Sequence, residues 1–232
     1  MDDNKTAFLH RISNCLGRTT VPQAPPVLQL PNDVQHHYLH GASAEELLKI
    51  FCSNAVAAGT EVHECSAATL NETIIEVIGR LAERGAGPIL LADEPLWQEH
   101  KTAEALQKVY GQVQLWEIDL GCKDNIDFAE KAAVGIAVAE LALAETGTVM
   151  VFSEKGCGRS VTLLPKTTVF VIARENIRPR LTQAMEYIQE RLSAGLPSSI
   201  NFVSGASSTS DIELVRVQGV HGPVRIAYIV VS

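Results

Sequence analysis

The chain lacks a dense basic stripe. Its 19 lysines and arginines are outnumbered by 27 aspartates and glutamates, giving a formal charge of −8. Nucleic-acid backbones are held by clustered Lys and Arg, so a broad nucleic-acid-binding face is excluded, although a local anion site is not. Paired cysteines are missing too. Cys15, Cys52, Cys65, Cys122 and Cys157 are scattered, with no Cys-x-x-Cys of the kind that holds zinc or an iron–sulfur cluster, and they read as reduced thiols without a metal. The longest apolar tract, Ala132 to Phe152, is interrupted by Glu140 and Glu145. A carboxylate at a bilayer centre costs roughly 2.5 kcal/mol or more, so no membrane span is expected. Met1-Asp2-Asp3-Asn4-Lys5 has neither a basic n-region nor an apolar h-region, and a cytoplasmic address follows as the expectation.

What is present points to a packed α/β protein. Hydrophobic residues make up 46% of the 232, enough to bury a sizeable core. Phe8, Ile12 and Leu16 at helical spacing, stopped by Gly17, predict an N-terminal helix. Pro22, Pro25, Pro26 and Pro31 then predict an extended arm, so residues 1–37 are read as helix plus arm and 38–232 as the main domain. His36, His37 and His40 lack a completing ligand at metal spacing and are read as ordinary histidines. Capping boxes at Ser43 and Thr69 open helices carrying Leu47, Phe51 and Ala55, and Ile74, Ile78 and Leu81. Further helices are expected after Asp93 or Thr102, from Asp124, and from Pro179, the last with Leu181, Met185, Ile188 and Leu192 as a core stripe. Strands are expected at 61–65, 88–92, 113–118, 149–152, 168–172, 199–203, 214–217 and 224–231. Helix and strand taking turns imply a mainly parallel sheet with helices on both faces.

The chemistry-bearing stretch is Ser204-Gly205-Ala206-Ser207-Ser208-Thr209-Ser210-Asp211. Gly205 permits a sharp turn, and the hydroxyls and amides of Ser207, Ser208, Thr209 and Ser210 could hold an anion at the start of a helical turn; the same residues also suit a capped surface turn. Thr146, Gly147 and Thr148 at a strand start could face the same ligand or close a tight turn. Arg159, after Gly156-Cys157-Gly158, could bind a carboxylate or phosphate bidentately or form a surface salt bridge, and could favour a Cys157 thiolate. His221, between glycines, is the best general acid/base candidate. Glu140 and Glu145 point to opposite faces if the segment is extended, which argues against a catalytic pair.

Ala144-Glu145-Thr146-Gly147-Thr148, Arg159 through Leu164-Pro165, Ser204 through Asp211-Ile212-Glu213, and Gly219-Val220-His221-Gly222-Pro223 together resemble the LUD-domain family. The motifs lie in order over the C-terminal half. The resemblance implies a Rossmann-like α/β fold similar to the glucosamine-phosphate isomerase, ribose-phosphate isomerase and CoA-transferase group. It also implies a part in oxidising L-lactate to pyruvate, as a component of the system rather than a complete oxidoreductase. The partners so implied are two iron–sulfur proteins, LutA-like and LutB-like, with no cluster in this chain and no cofactor that the sequence announces. Ala206 stands where the family usually has proline, which frees φ and loosens the loop. In this first reading the loops at Thr146, Arg159, Ser204 and His221 converge at strand ends on a small carboxylate or a phosphate-bearing ligand, including Gly205, Ser208, Thr209 and Asp211, with His221 moving a proton. A second reading, from fold analogy, is a stand-alone CoA-transferase-like or ligase-like enzyme with Glu145 as nucleophile or base. A third is a non-catalytic anion-binding interaction module.

Overall fold

The computed structural model describes residues 2–22, 24, 31–81, 87–117, 119, 121–210 and 217–232. Expectations for Pro25, Pro26, Gly85, Asp211 and the strand at 214–216 lie outside them. The chain divides into two compact units, Met1–Val34 and Gln35–Ser232. The first holds helix α1 (Asp2–Cys15), which ends where Gly17 takes a φ of +68° and the Ser13 hydroxyl donates to the Thr20 carbonyl at 2.8 Å. A short turn of helix, α2 (Val34–His37), follows.

The second unit is built on six strands, β1 (Glu61–Cys65), β2 (Ile89–Leu91), β3 (Val113–Leu115), β4 (Val134–Ala139), β7 (Thr167–Ala173) and β12 (Arg225–Val231). Of these, β2, β4, β7 and β12 read as near-continuous apolar runs, the pattern of parallel strands covered on both faces, while the edge strands β1 and β3 are mixed. All six pair parallel, in the order β1-β12-β7-β4-β2-β3. Helix α3 (Ala44–Ala57) covers one face with Leu47, Leu48, Phe51 and Ala55. The expected box caps it: Glu46 N–H donates to Ser43 Oγ at 3.3 Å and Ser43 N–H to Glu46 Oε2 at 2.8 Å. Phe51 stacks on Tyr228 at 5.6 Å and Phe170 meets the same ring edge-on at 6.0 Å, so one aromatic cluster pins α3 to β12 and β7.

Helix α4 (Leu70–Leu81) covers the other face with Leu70, Ile74, Val77 and Ile78, beside α5 (Pro95–Glu99) and α6 (Thr102–Tyr110). Its cap lies one turn earlier than expected. Ser66 N–H donates to Thr69 Oγ1 at 3.2 Å across a 3-10 turn at Ala67–Thr69, so Thr69 is the receiving partner rather than the N-cap.

Helix α7 (Gly121–Lys131) leads into β4, and the apolar tract from Ala132 then folds as three strands, β4, β5 (Leu141–Leu143) and β6 (Thr148–Ser153). Among the described residues no helix is long and apolar enough to cross a membrane. After helix α8 (Arg159–Leu163) and β7 come β8 (Ile177–Arg178), helix α9 (Leu181–Arg191) and β9 (Ser199–Val203). A second sheet, β8-β5-β6-β9, is mostly antiparallel and was not foreseen from the alternation of elements. Helix α9 packs on it through Ala184 and Ile188, while Leu181, Met185 and Leu192 stay exposed. The expected core stripe is thus only partly core, because the small four-stranded sheet accepts a narrower helix face than the full stripe.

Candidate functional site

The Thr146 and Ser204 loops meet as expected, because β6 and β9 pair antiparallel with Val149 opposite Val203, which sets Thr148 beside Ser204. Thr146 Oγ1 and Thr148 Oγ1 are 2.6 Å apart, and Thr148 Oγ1 and Ser204 Oγ are also 2.6 Å apart. The result is a relay of three hydroxyls, exposed at Thr146 and Ser204 and buried at Thr148. Both glycines of these loops lie against α3 and the turn after it. A Cβ on Gly147 (φ +60°) would sit 2.3 Å from the Ala55 nitrogen, and one on Gly205 (φ +75°) 2.5 Å from the Ala58 carbonyl oxygen. Only glycine fits where backbone approaches backbone this closely. Tyr228 closes the floor by donating to the Val203 carbonyl at 3.0 Å, and burial pushes its phenol up to about 12.

Glu145 is half-buried and ion-paired, its Oε2 3.0 Å from Arg180 Nε, and Arg180 lies over the Tyr38 ring at 5.6 Å. Asn54 of α3 donates to the Ala144 and Glu145 carbonyls at 2.8 and 2.9 Å. Tyr38 and Asn54 also line an open groove of about 740 Å³ with His40, Lys49 and Ser53. Arg180 and Asn54 were not singled out from the sequence. The Arg178-Pro179-Arg180 run at a helix start was the signal for Arg180, and Asn54 had none.

The Ser207 segment forms a hairpin, not the start of a helical turn. Strands β10 (Ser208–Thr209) and β11 (Val217–Gln218) pair antiparallel, Ser207 N–H donates to the Pro223 carbonyl at 3.0 Å, and Gly219 N–H donates to the Ser207 carbonyl at 2.9 Å. Backbone amides expected to point at an anion are thus partly used in the ladder. His221 is exposed on the loop ahead of β12. Ser204, Ser207 and His221 therefore gather near the amino ends of β1 and β12.

Arg159 does not join them. It opens α8, after the loop that follows β6, while Thr148 and Ser204 sit at the start of that strand. Arg159 is exposed and makes no ion pair among the described residues. The preceding Gly158 packs on Trp116, just past the carboxyl end of β3, where a Cβ would fall 2.2 Å from the indole ring. Strand register thus joins Thr148 to Ser204, while Arg159 stands on a separate element, α8.

The carboxyl ends of the parallel strands hold a different cluster. From β2 the chain runs outward to β3, then returns to β4 on the other side of β2, so strand order reverses between β2 and β4. Open α/β sheets form a crevice at such a reversal. Here it has a volume of about 100 Å³ and is lined by Asp93, Glu94, Val138, Glu140, Phe152, Glu154, Gly156 and Cys157. Asp93 N–H donates to the Gly156 carbonyl at 2.7 Å, joining the β2 and β6 loops. Arg191 reaches Glu140 at 3.2 Å and Glu154 at 3.8 Å, and Tyr187 donates to Glu140 at 2.8 Å. Burial, then the charges of Glu140, Asp93 and Glu154, push the Glu94 carboxyl up to about 7. Burial, then Glu94 and Glu154, push the Cys157 thiol up to about 12. Burial first and the carboxylates second disfavour the anion, which argues against a reactive Cys157 thiolate. Glu94 escaped the sequence reading, although Ala92-Asp93-Glu94-Pro95 put two acids at a strand end before a helix-starting proline.

Fold and loops together describe a Rossmann-like α/β domain with a hydroxyl-rich loop cluster, and the LUD domain model matches residues 48–231. The chain belongs to the LUD domain family. It is 39% identical to the Lactate utilization protein C of Geobacillus sp. (strain WCH70) and 37% identical to that of Bacillus subtilis (strain 168), in both cases over 99% of this chain and 96% of the relative. A crystal structure of a DUF162 family protein from Deinococcus radiodurans superimposes with a TM-score of 0.59 at 20% identity, covering 82% of this chain and 99% of that one, a likeness of fold.

Proposed function

We propose that this chain takes part in L-lactate degradation, the oxidation of lactate to pyruvate, as a cytoplasmic subunit without a cluster of its own that acts with LutA-like and LutB-like iron–sulfur proteins. The observation that carries this reading is the near end-to-end match to proteins named Lactate utilization protein C, 99% of this chain against 96% of the relative. Dispersal of the cysteines supports the division of labour. They sit on α1, α3, β1, α7 and the loop before α8, whereas a cluster needs several thiolates around shared iron. In this reading the iron–sulfur partners carry the electrons and this chain contributes a binding surface.

The ligand is a small carboxylate or a phosphate-bearing molecule, taken by the hydroxyls of Thr146, Thr148, Ser204 and Ser207, with His221 as proton carrier nearby. Arg159 opens α8, after the loop that follows β6, and is left out of this pocket. Support comes from the hydroxyl relay, whose terminal members remain exposed, and from the groove beside Glu145 that carries Lys49 and His40.

The test has two arms. A strain lacking this chain should fail to grow on L-lactate as sole carbon source and recover with the wild-type chain, and tagged chain should co-purify the two iron–sulfur proteins. Calorimetric titration with L-lactate, pyruvate and phosphate-bearing cofactors, repeated on Thr148→Val and Ser207→Ala, then tests the pocket. Undiminished growth of the deletion strain would overturn the role; binding unchanged in both variants would overturn the pocket.

A further inference from the structure

We infer that the outer edge of β9 is a self-association surface, on which a second copy of this chain pairs its own β9 antiparallel about a two-fold axis at Asn201. This inference does not rest on the lactate reading. Among the described residues the two main sheets end in four edge strands, β1 and β3 in the larger and β8 and β9 in the smaller. A bare edge invites pairing with another chain, so edges are usually kept short, charged or capped. Three of these four are. β1 carries Glu61, His63 and Glu64, β8 is only Ile177–Arg178, and β3 is only Val113–Leu115, with the Val113 N–H already donating to Gln107 Oε1 at 3.2 Å. β9 is different. Its run, Ser199-Ile200-Asn201-Phe202-Val203, has neither charge nor proline.

The neighbouring strand fixes which backbone groups of β9 face outward. The Met150 carbonyl accepts from Glu140 N–H at 2.9 Å, on the β5 side of β6, so the peptide groups of Met150 turn away from β9. Met150 and its partner Phe202 are then a non-hydrogen-bonded pair, and the N–H and C=O of Phe202 point to the open edge, as do those of Ile200. Ile200 and Phe202 share a face with Met150 and Phe152, which belong to the apolar cluster under α9. Ile200 packs against that cluster, while Phe202 is left 39% exposed. An axis at Asn201 sets Ile200 opposite Phe202 of the second copy. Each such pair exchanges both backbone hydrogen bonds, and an aliphatic side chain covers the exposed ring.

Charge points to a second copy as the occupant. In an isologous interface a patch meets its own image, so charge of one sign would repel itself. From Leu192 to Ser210 the chain has no Asp, Glu, Lys or Arg, although 20% of all its residues are charged and Leu192, Leu196 and Phe202 are exposed in this stretch. Elsewhere the net charge of −8 holds copies apart. A shared edge of this length with its flanking loops buries roughly 1,000 Å² in total, the low end for a specific interface, so a dissociation constant on the order of 10 μM is expected. The same register sets Ser198 of the second copy opposite Ser204. The second copy would thus border the mouth of the hydroxyl relay.

The experiment is sedimentation velocity of the full chain from about 1 to about 100 μM, a range that brackets the expected affinity. Expected is a reversible equilibrium between a 25.1 kDa monomer and a species of twice that mass. Phe202→Lys keeps an exposed position exposed in the monomer, so the variant should fold, which circular dichroism checks, and should dimerise about tenfold more weakly or worse. Cross-linking reads the register. At the axis the two residue-201 Cα atoms would lie about 4.5 Å apart, within disulfide range. Asn201→Cys should therefore cross-link into a dimer with oxidised glutathione about tenfold faster or more than wild type, whose exposed Cys15 sets the background. A monomer throughout the range overturns the inference. So does a dimer whose affinity Phe202→Lys leaves unchanged, or an Asn201→Cys chain that cross-links no faster than wild type. Should Phe202→Lys fail to fold, the cross-linking rate decides alone.

Discussion

The two ends of the parallel sheet treat their polar groups in opposite ways. At the amino end, Thr146, Thr148 and Ser204 bond to one another, and the Ser207 hairpin uses its amides in a ladder. At the carboxyl end, like charges crowd a small crevice and one of them keeps a proton near neutral pH. Hydrogen-bonded hydroxyls stabilise a loop whether or not a ligand arrives. Crowded carboxylates cost stability and persist where something else compensates, which makes the acidic end the more informative about ligands.

The largest effect expected is at Gly147. Alanine there would need a left-handed φ and would drive its Cβ into the α3 backbone at 2.3 Å, so Gly147→Ala should destabilise by about 3 kcal/mol or more, read as a drop in urea midpoint. Gly158→Ala meets an indole ring instead, at 2.2 Å. A side chain yields more readily than a helix backbone, so the loss should be smaller, about 1–3 kcal/mol. Equal losses would mean that the amino-end loops are no more tightly fixed to α3 than the carboxyl-end loops are to Trp116.

Next comes Thr148→Val, which removes the middle of the relay while keeping the shape. Thr146 and Ser204 are exposed and can turn to water, so about 1–2 kcal/mol is expected by denaturant titration. A loss well above that would show that the relay orders the Ser204 loop itself.

At the acidic end the test is pH. The folded-state pKa of Glu94 is raised to about 7 from an ordinary 4.5, so the folded chain binds more protons than the unfolded one between those values. Its contribution is complete below about pH 4.5 and is lost as pH rises through about 7. The difference in urea midpoint between wild type and Glu94→Gln should therefore shift in favour of the variant between pH 5 and pH 8. Partial exposure of the carboxyl lets solvent screen the effect, which should stay modest. A flat difference would remove the contrast between the two ends.

Much of the fold was legible because its signals are local. The apolar runs of β7 and β12, the Ser43 capping box and the glycine after α6 each announce themselves within a few residues. The second sheet was harder to read, because β9 joins β6 and β8 joins β5 only after chain excursions that leave no pattern in sequence, and β5 and β6 look like one continuous apolar tract. The candidate site divides the same way. Thr146 and Ser204 meet because two strands lie in register, which motif order hinted at, while Glu94, Glu140, Glu154 and Arg191 are brought together from four separate segments.

The smallest expected effect bears most directly on that separation. Arg159 and His221 are both exposed, so Arg159→Ala and His221→Ala should each change stability by less than about 0.5 kcal/mol. Their effects on an anion bound at the Ser204 loop should differ. His221 leads into β12 beside the Pro223 carbonyl that receives Ser207 N–H, whereas Arg159 opens α8, after the loop that follows β6. An exposed charge outside the relay is also screened, the screening length being about 8 Å at physiological salt. Phosphate binding measured by calorimetry at that salt should accordingly weaken in His221→Ala and hold in Arg159→Ala. If Arg159→Ala abolished it with folding intact, the bound anion would have to reach the start of α8, and the Ser204 loop would not hold it alone.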